Sequence, residues 1–420
     1  MPMRRACYAS LLACLGLAAA APGATQEPPG DKGLSRWFDP ATAPFIPIPE
    51  IDLDPNSGTT LGLIPTFLVT DDSGEIRRIY APDIISSQYF GWGARGRIFD
   101  FPSEDREWSV VGGAKERVES EFDAQYQAGR ERAGLFSYTV QAVYDRNGTT
   151  RFYGIGNNTT NYDESVYVDQ QKFFFAQVGW NITRHWQLAY SLTPRDLTVT
   201  PGALPGVPST TQRYPGVPGL GETHEVLNRL LLTYDTRDDL TIPTRGAAVV
   251  LYGGLASAAG FINDSLFSEA GADARFFWSP GSQLTWALHS ALRYMPNARN
   301  APFWALSSLG GDRSIVGADQ PLRGFGAGRF YDRDSFSASL EMRREIADFD
   351  AVSTHVALQL TPFVDTGRVF AHASDTPFTH LHNVIGVGMR ALARPFVVGY
   401  VDIGKGSEGL VAFSGINYPF

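Results

Sequence analysis

The sequence predicts an all-β protein, a transmembrane antiparallel β-barrel of about 16 strands. Three observations lead to this prediction. A secretory leader opens the chain, segments with one apolar and one polar face recur from residue 58 to the end, and the long connections between these segments fall at one end of the predicted barrel. A closed barrel pairs every backbone group, which is why strands cross a membrane in that form.

Residues 1–24 are predicted to be a secretory signal peptide. Met1–Arg5 is short and basic, and residues 6–21 are apolar and end in small side chains, as in cleaved leaders. Both cysteines, Cys7 and Cys14, lie in this segment, so the mature chain is expected to hold no disulfide and no thiolate metal site. Lipidation at Cys14 is the alternative, but the apolar stretch continues past that residue.

Residues 25–57 are rich in proline and are predicted to form an extended periplasmic segment or a small plug. This segment is too short to fold around a core of its own. Residues 58–420 form the predicted barrel. The net charge of −9 comes without a dense basic patch, so no nucleic-acid partner is expected, and no cofactor is expected either.

Alternation of apolar and polar residues is the main strand signal in the predicted barrel. Within 133–145, every second position is apolar: Phe136, Tyr138, Val140, Ala142 and Tyr144. Such a segment has one apolar and one polar face. The predicted strands span 58–69, 84–99, 106–114, 119–128, 133–145, 164–178, 184–199, 224–236, 245–257, 264–278, 281–295, 331–345, 354–370, 380–393, 395–403 and 409–420.

A water-soluble β-sandwich would show the same alternation with its apolar face turned inward. The leader, the lack of a separable soluble domain and the aromatic residues near many strand ends favour contact with outer-membrane lipid instead. The uncharged stretch 246–262 could form a membrane helix, but its glycines and short length favour a strand and a loop. With both termini in the periplasm, the long connections 146–163, 200–223 and 296–330 face outward.

The sixth outer loop, residues 296–330, carries the motif Leu-Arg-Gly-Phe at 322–325. The next two strands carry Glu341 and Asp365, which alternation turns toward the lumen. Arginine binds a carboxylate through two parallel hydrogen bonds and stays charged. Arg323 could therefore latch the loop, folded into the lumen, to these carboxylates. Alternatively, Arg323 is a solvated loop charge and the carboxylates line a wet pore, and the residues alone do not separate these two interpretations.

From about residue 50 to the end, the chain resembles the surface-antigen superfamily of outer-membrane barrels. This superfamily includes the BamA and TamA assembly factors and the two-partner secretion transporters. The resemblance implies that the loop arginine contacts both carboxylates inside the barrel. The residues that carry the resemblance are Leu322, Arg323, Gly324 and Phe325 in the loop, Glu341 in the next strand, and Phe363, Asp365 and Gly367 in the strand after it.

Members of this superfamily usually carry periplasmic POTRA domains before the barrel, and these domains receive the substrate. The sequence has no room for even one such domain between the leader and the barrel. The resemblance therefore implies that substrate docks on a separate periplasmic partner or on the barrel rim.

The end of the chain has two features of its own. Gly415, Tyr418 and Phe420 resemble the sorting signal that the barrel-assembly machinery reads, so this machinery is a predicted partner; an ordinary last strand is the alternative. Pro65 lies in the predicted first strand and Pro419 in the last. Since proline donates no ladder hydrogen bond, the seam between these strands is predicted to be weak and able to open. Alternatively, both prolines lie at frayed strand ends.

The predicted function is assistance in the insertion or translocation of proteins, or of other substrates, at the outer membrane. A passive pore restricted by its inner loop is the first alternative. An outer-membrane lipid hydrolase is the second, although the sequence offers no nucleophile motif for it, and the protein is not expected to be an enzyme.

Overall fold

The computed structural model describes residues 45–72, 76–103, 105–258, 265–351, 354–393, 396–416, 418 and 420. The predicted signal peptide and most of the proline-rich segment lie outside the described residues.

Antiparallel strands make up most of the described chain. They are β1 (Ile46–Asp54), β2 (Gly58–Thr70), β3 (Ile76–Tyr80), β4 (Asp83–Ser87), β5 (Gly91–Ser103), β6 (Arg106–Lys115), β7 (Ser120–Ala128), β8 (Phe136–Asn147), β9 (Arg151–Phe152), β10 (Ser165–Asn181), β11 (Trp186–Pro201), β12 (Gly221–Asp235), β13 (Gly246–Ser257), β14 (Ser265–Gly281), β15 (Leu284–Asn297), β16 (Ser307–Leu309), β17 (Phe330–Asp332), β18 (Asp334–Ala351), β19 (Thr354–Phe370), β20 (His382–Ala393), β21 (Phe396–Gly406) and β22 (Gly409–Gly415). Short helical turns lie at α1 (Thr210–Arg213), Asn161–Asp163 and Phe303–Ala305. In the described ranges, no helix has the length and apolar character needed to span a bilayer.

Antiparallel pairing joins neighbouring strands into one sheet of 20 strands. β3 and β4 share one position between β2 and β5, and β8 and β9 both pair with β10. In the described residues, eighteen positions therefore follow one another around the barrel. β22 lies beside β1 and closes it. The short pair β16 and β17 belongs to the long connection between β15 and β18.

The prediction of about 16 strands missed two positions near the N-terminus. β1 lies in residues 25–57, which were predicted to be an extended segment or a plug. The predicted strand 84–99 combines β4 and β5, which are separate strands in the structure. Proline explains both differences, because it donates no ladder hydrogen bond. Pro47 and Pro49 interrupt the pattern of β1, and the register places Pro82, between β3 and β4, opposite Pro65 of β2.

Missing two strands leaves the direction of every later strand as predicted. The long connections still lie at one end of the barrel, and the loop predicted to be the sixth there is the seventh. We call residues 298–329, between β15 and β17, the inner loop. The membrane-helix alternative for 246–262 is wrong, since β13 occupies most of that stretch, and the last strand ends at Gly415 instead of residue 420.

The two faces of each strand have opposite chemistry. On β18, Ser337, Ser339, Glu341 and Arg343 turn into the lumen and are buried, whereas Leu340 points outward with 42% of its surface exposed. The other strands repeat this arrangement, with Trp92, Phe122, Tyr138, Trp180, Tyr190, Leu230, Phe276, Leu292 and Val364 among the exposed apolar side chains. An apolar exterior around a polar interior is the reverse of a water-soluble sandwich and fits a barrel in lipid.

Connections cover the outer end of the lumen. Aromatic side chains from several of them pack in one buried cluster, in which Phe152 lies 4.6 Å from Phe303 and 5.7 Å from Tyr331 between ring centroids. This packing holds the first part of the inner loop in place, above the site described next.

Candidate functional site

The inner loop enters the lumen and places Arg323 against the strands that follow it in the chain. The Arg323 guanidinium binds Asp365 on β19 through Nε–Oδ2 at 2.9 Å and Nη2–Oδ1 at 2.8 Å. Its Nη1 lies 2.5 Å from Glu341 Oε1 on β18 and 3.0 Å from Asp402 Oδ2 on β21. The four side chains are fully buried, so they form ion pairs that solvent hardly screens.

Two further arginines balance the charge of this cluster. Arg343 Nε donates to Glu341 Oε2 at 2.8 Å. Arg390 on β20 donates to both oxygens of Asp402, with Nη2–Oδ2 at 3.1 Å. Three cations therefore meet three anions. We call the following six residues the arginine–carboxylate network: Arg323, Arg343, Arg390, Glu341, Asp365 and Asp402.

The backbone of the inner loop lies directly against β21. A Cβ atom at Gly404 would overlap the carbonyl oxygen of Arg323, and a Cβ atom at Gly324 would overlap the backbone nitrogen of Gly406. A Cβ atom at Gly406 would lie 2.6 Å from the Gly324 oxygen. Glycine is the residue that permits so close an approach of two backbone segments.

Apolar side chains pack against the network. Phe325 of the inner loop lies in a buried cluster with Leu309 and Phe363. The Arg323 Cζ atom lies 3.7 Å from the centroid of the Phe363 ring, a cation–π contact. A Cβ atom at Gly367 would lie 2.9 Å from the Phe336 carbonyl oxygen of β18 and 3.1 Å from Leu309 Cδ1 of the inner loop, so glycine leaves room for both. The structure thus brings the predicted loop and strand residues together.

The inner loop has two more polar contacts with the wall. Asn56, in the turn between β1 and β2, donates from Nδ2 to the Ala327 carbonyl oxygen at 2.6 Å. Tyr400 on β21 donates its hydroxyl to Asp312 Oδ2 at 2.5 Å. Burial raises the pKa of the Asp312 carboxyl. The loop therefore contacts strands on both sides of the barrel closure.

We call the closure between β1 and β22 the seam. Within Ile46–Asp54 and Gly409–Gly415, no ladder pairing joins the two strands. Their hydrogen bond runs from the Ile51 backbone N–H to Ser414 Oγ at 3.0 Å. Since alternate residues of a strand turn their N–H groups to the same side, Pro49 and Pro47 face β22 without a donor.

The predicted pair of seam prolines is not brought together. Pro65 lies on β2, and β1 separates that strand from β22, so Pro65 is not at the seam. Pro419 lies outside the described residues. Pro47 and Pro49 of β1, instead of Pro65, are the prolines at the seam. The sequence did not indicate this, because the residues of β1 were predicted to be an extended segment and not a strand.

The residues of the predicted sorting signal do not continue the last strand. β22 ends at Gly415, and Tyr418 and Phe420 turn into the lumen. Tyr418 donates its hydroxyl to Gln359 Oε1 at 3.0 Å. Phe420 is 8% exposed and stacks on His289, with 5.0 Å between ring centroids. Recognition of these residues by the barrel-assembly machinery stays a prediction.

Sequence reasoning missed half of the network. Arg343 stands two residues from Glu341 on the inward face of the same strand, and Arg390 and Asp402 are inward charges on β20 and β21. Alternation places each of these side chains in the lumen. Alternation does not show that they reach the same depth as Arg323, because depth depends on the register of four strands.

Comparisons with known proteins place this fold in a family. Residues 115–391 match the Omp85 superfamily domain. Among solved structures, the chain is similar to BamA from Haemophilus ducreyi lacking POTRA domains 1–3, with a TM-score of 0.51 and 13% identity over 84% of this chain and 75% of that one. It also aligns with CdiB from Acinetobacter baumannii, with a TM-score of 0.47 and 13% identity over 86% of this chain.

This chain covers 65% of that CdiB chain, less than two thirds of its length. No curated protein matches the sequence. The superfamily match includes the inner loop together with β18 and β19, and it confirms the resemblance inferred from the loop and strand motifs. The chain is a bacterial outer-membrane β-barrel that belongs to the Omp85 superfamily.

Proposed function

We propose that this protein assists the insertion or translocation of proteins at the outer membrane, by opening its seam when the inner loop is released. The observation that carries the proposal is the seam itself, where β1 and β22 lie side by side without ladder pairing. A neighbouring pair, β1 and β2, is fully laddered from Ile46 to Asp54. Among the described strands, the closure is thus the interface with the fewest backbone hydrogen bonds to break.

The arginine–carboxylate network supports a latch role for the inner loop. Arg323 is the one member of the network that comes from the loop, and the other five come from the wall. Releasing the loop would leave three buried carboxylates facing two arginines, which is unfavourable. The loop therefore stays in the lumen unless a substrate or partner compensates for that charge.

Locking the seam should abolish the activity while leaving the barrel folded. Cysteines at Ile51 and Ser414 would join the two edge strands, and residues 25–420 contain no other cysteine. We expect the oxidised double variant to fail to complement a depleted strain, and reduction to restore complementation. A cysteine pair at Ile51 and Leu61, opposite each other in the β1–β2 ladder, is the matched control. Full activity with a locked seam would contradict lateral opening.

Depletion of the protein should change the set of proteins in the outer membrane. We expect one or more other outer-membrane proteins to decrease, measured by quantitative proteomics of isolated membranes beside a lipid inventory. An unchanged inventory together with impaired solute uptake would instead indicate a passive pore.

The pore is the second candidate because partly exposed polar side chains line the lumen. Asp123, Gln141 and Asp145, on β7 and β8, are partly exposed to the interior. Complementation by the locked-seam variant separates the two functions, since a pore does not need its seam to open.

A further inference from the structure

Ile416, Tyr418 and Phe420 lie in the interior of the barrel, beyond the end of β22. From the end of β22, Ile416 packs beside Ile46, Ile48 and Ile64 on the inner wall next to the seam. Phe420 reaches β14 and β15, where it packs with Phe277 and Ala287. We call Ile416, Tyr418 and Phe420 the tail. Their side chains contact the wall from the seam to β14 and β15.

Side chains hold the tail at the periplasmic side of the arginine–carboxylate network. The Arg343 Cζ atom lies 3.9 Å from the Tyr418 ring centroid and 5.4 Å from that of Phe420. Both terminal nitrogens of Arg343 are buried without a hydrogen-bond partner among the described residues. The Phe277 ring of β14 lies 5.6 Å away, so Tyr418 of the tail makes the closest of the three aromatic contacts that stabilise this end of the Arg343 guanidinium.

A periplasmic turn also contacts the tail. Ile242, between β12 and β13, is buried against Ala357 and Leu392, and Tyr418 packs on this cluster. A cavity of about 310 Å³ lies next to the tail, lined in part by Arg275, Tyr418 and Phe420. Since the tail adjoins empty space and is held by side chains, it can move without unpairing a strand.

The tail also adjoins the latch. The Arg323 Cζ atom lies 5.9 Å from the Phe420 ring centroid, and Arg343 shares Glu341 with Arg323. We propose that the tail is an internal stopper, which closes the lumen on the periplasmic side of the arginine–carboxylate network. The inference concerns the lumen and holds for an insertion factor and for a pore alike.

Thiol accessibility tests the stopper directly. Ala287 is fully buried beneath Phe420, so a cysteine there should react slowly with a water-soluble maleimide in barrels refolded from urea into vesicles. We expect Phe420→Ala to speed labelling of Ala287→Cys several-fold. Asp145→Cys, on the lumen face of β8 nearer its outer end and opposite Glu121, should react equally in both backgrounds. Refolding without cellular machinery separates this effect from loss of a sorting signal.

A reversible bridge supplies the converse test. His289→Cys and Phe420→Cys, joined by a bifunctional methanethiosulfonate reagent, should hold the tail against the wall and keep planar-bilayer conductance low, with a several-fold rise after reduction. His289→Ala, which leaves the C-terminus intact, should raise conductance in the same direction if the Phe420 variants do not fold. Equal labelling of Ala287→Cys with and without Phe420, or equal conductance of bridged and reduced barrels, would overturn the proposal.

Discussion

Arg323→Ala should lower the free energy of unfolding of the barrel by about 3–5 kcal/mol, the usual effect of removing one partner from a buried ion pair. The substitution leaves Glu341, Asp365 and Asp402 with two arginines in a site that water does not reach. Urea unfolding in vesicles measures the free energy, and heat-modifiability on a gel reports the folded fraction.

The control for this prediction is Arg313→Ala, which removes the same charge from an exposed position of the same loop. Exposed charges contribute little to stability, so we expect no measurable change. The double variant Arg323→Met/Asp365→Asn restores charge balance and should recover most of the stability without restoring the loop contact. Unchanged heat-modifiability of Arg323→Ala would argue against the latch.

Gly404→Ala should displace the inner loop from the wall, although it adds one methyl group. The added carbon would overlap the Arg323 carbonyl oxygen, and β21 cannot yield because it is paired on both sides. Overpacking of this kind costs about 1–3 kcal/mol. We expect faster hydrogen exchange and faster proteolysis in residues 298–329, with the strands still protected.

Gly112→Ala is the matched control for this substitution. Gly112 also lies in a strand, but a Cβ atom there would have its nearest neighbour at 3.9 Å. Its effect on the inner loop should be absent. Equal protection of the inner loop in both variants would show that the loop is not held by close approach to β21.

The sequence predicts the elements of the site better than their arrangement around it. The loop motif and strand alternation are local signals, and they are enough to bring Arg323, Glu341 and Asp365 into one hypothesis. Alternation also predicts that Arg390 and Asp402 point into the lumen. The local sequence does not predict the depth of either side chain in the barrel. The depth of a side chain in the barrel follows from strand register, which the whole sheet determines.

Proline is the reason why part of the barrel could not be predicted from the sequence. Pro47 and Pro49 make the residues of β1 resemble an extended segment. They are nevertheless compatible with an edge strand, because the backbone N–H groups that they lack would face the seam. The opposed Pro65 and Pro82 divide one strand position into β3 and β4 in the same way. The tail is concealed for a different reason, since its aromatic residues continue the alternation of β22 past the point where pairing ends.

The inner loop contacts the barrel wall on both sides of the seam. Asn56 holds it at the turn that ends β1, and Asp402 and Tyr400 hold it at β21, the neighbour of β22. If the seam widened, the two sets of loop contacts would move apart. The inner loop therefore limits how far the seam can open, and a substrate that enters from the membrane must first break one set of contacts.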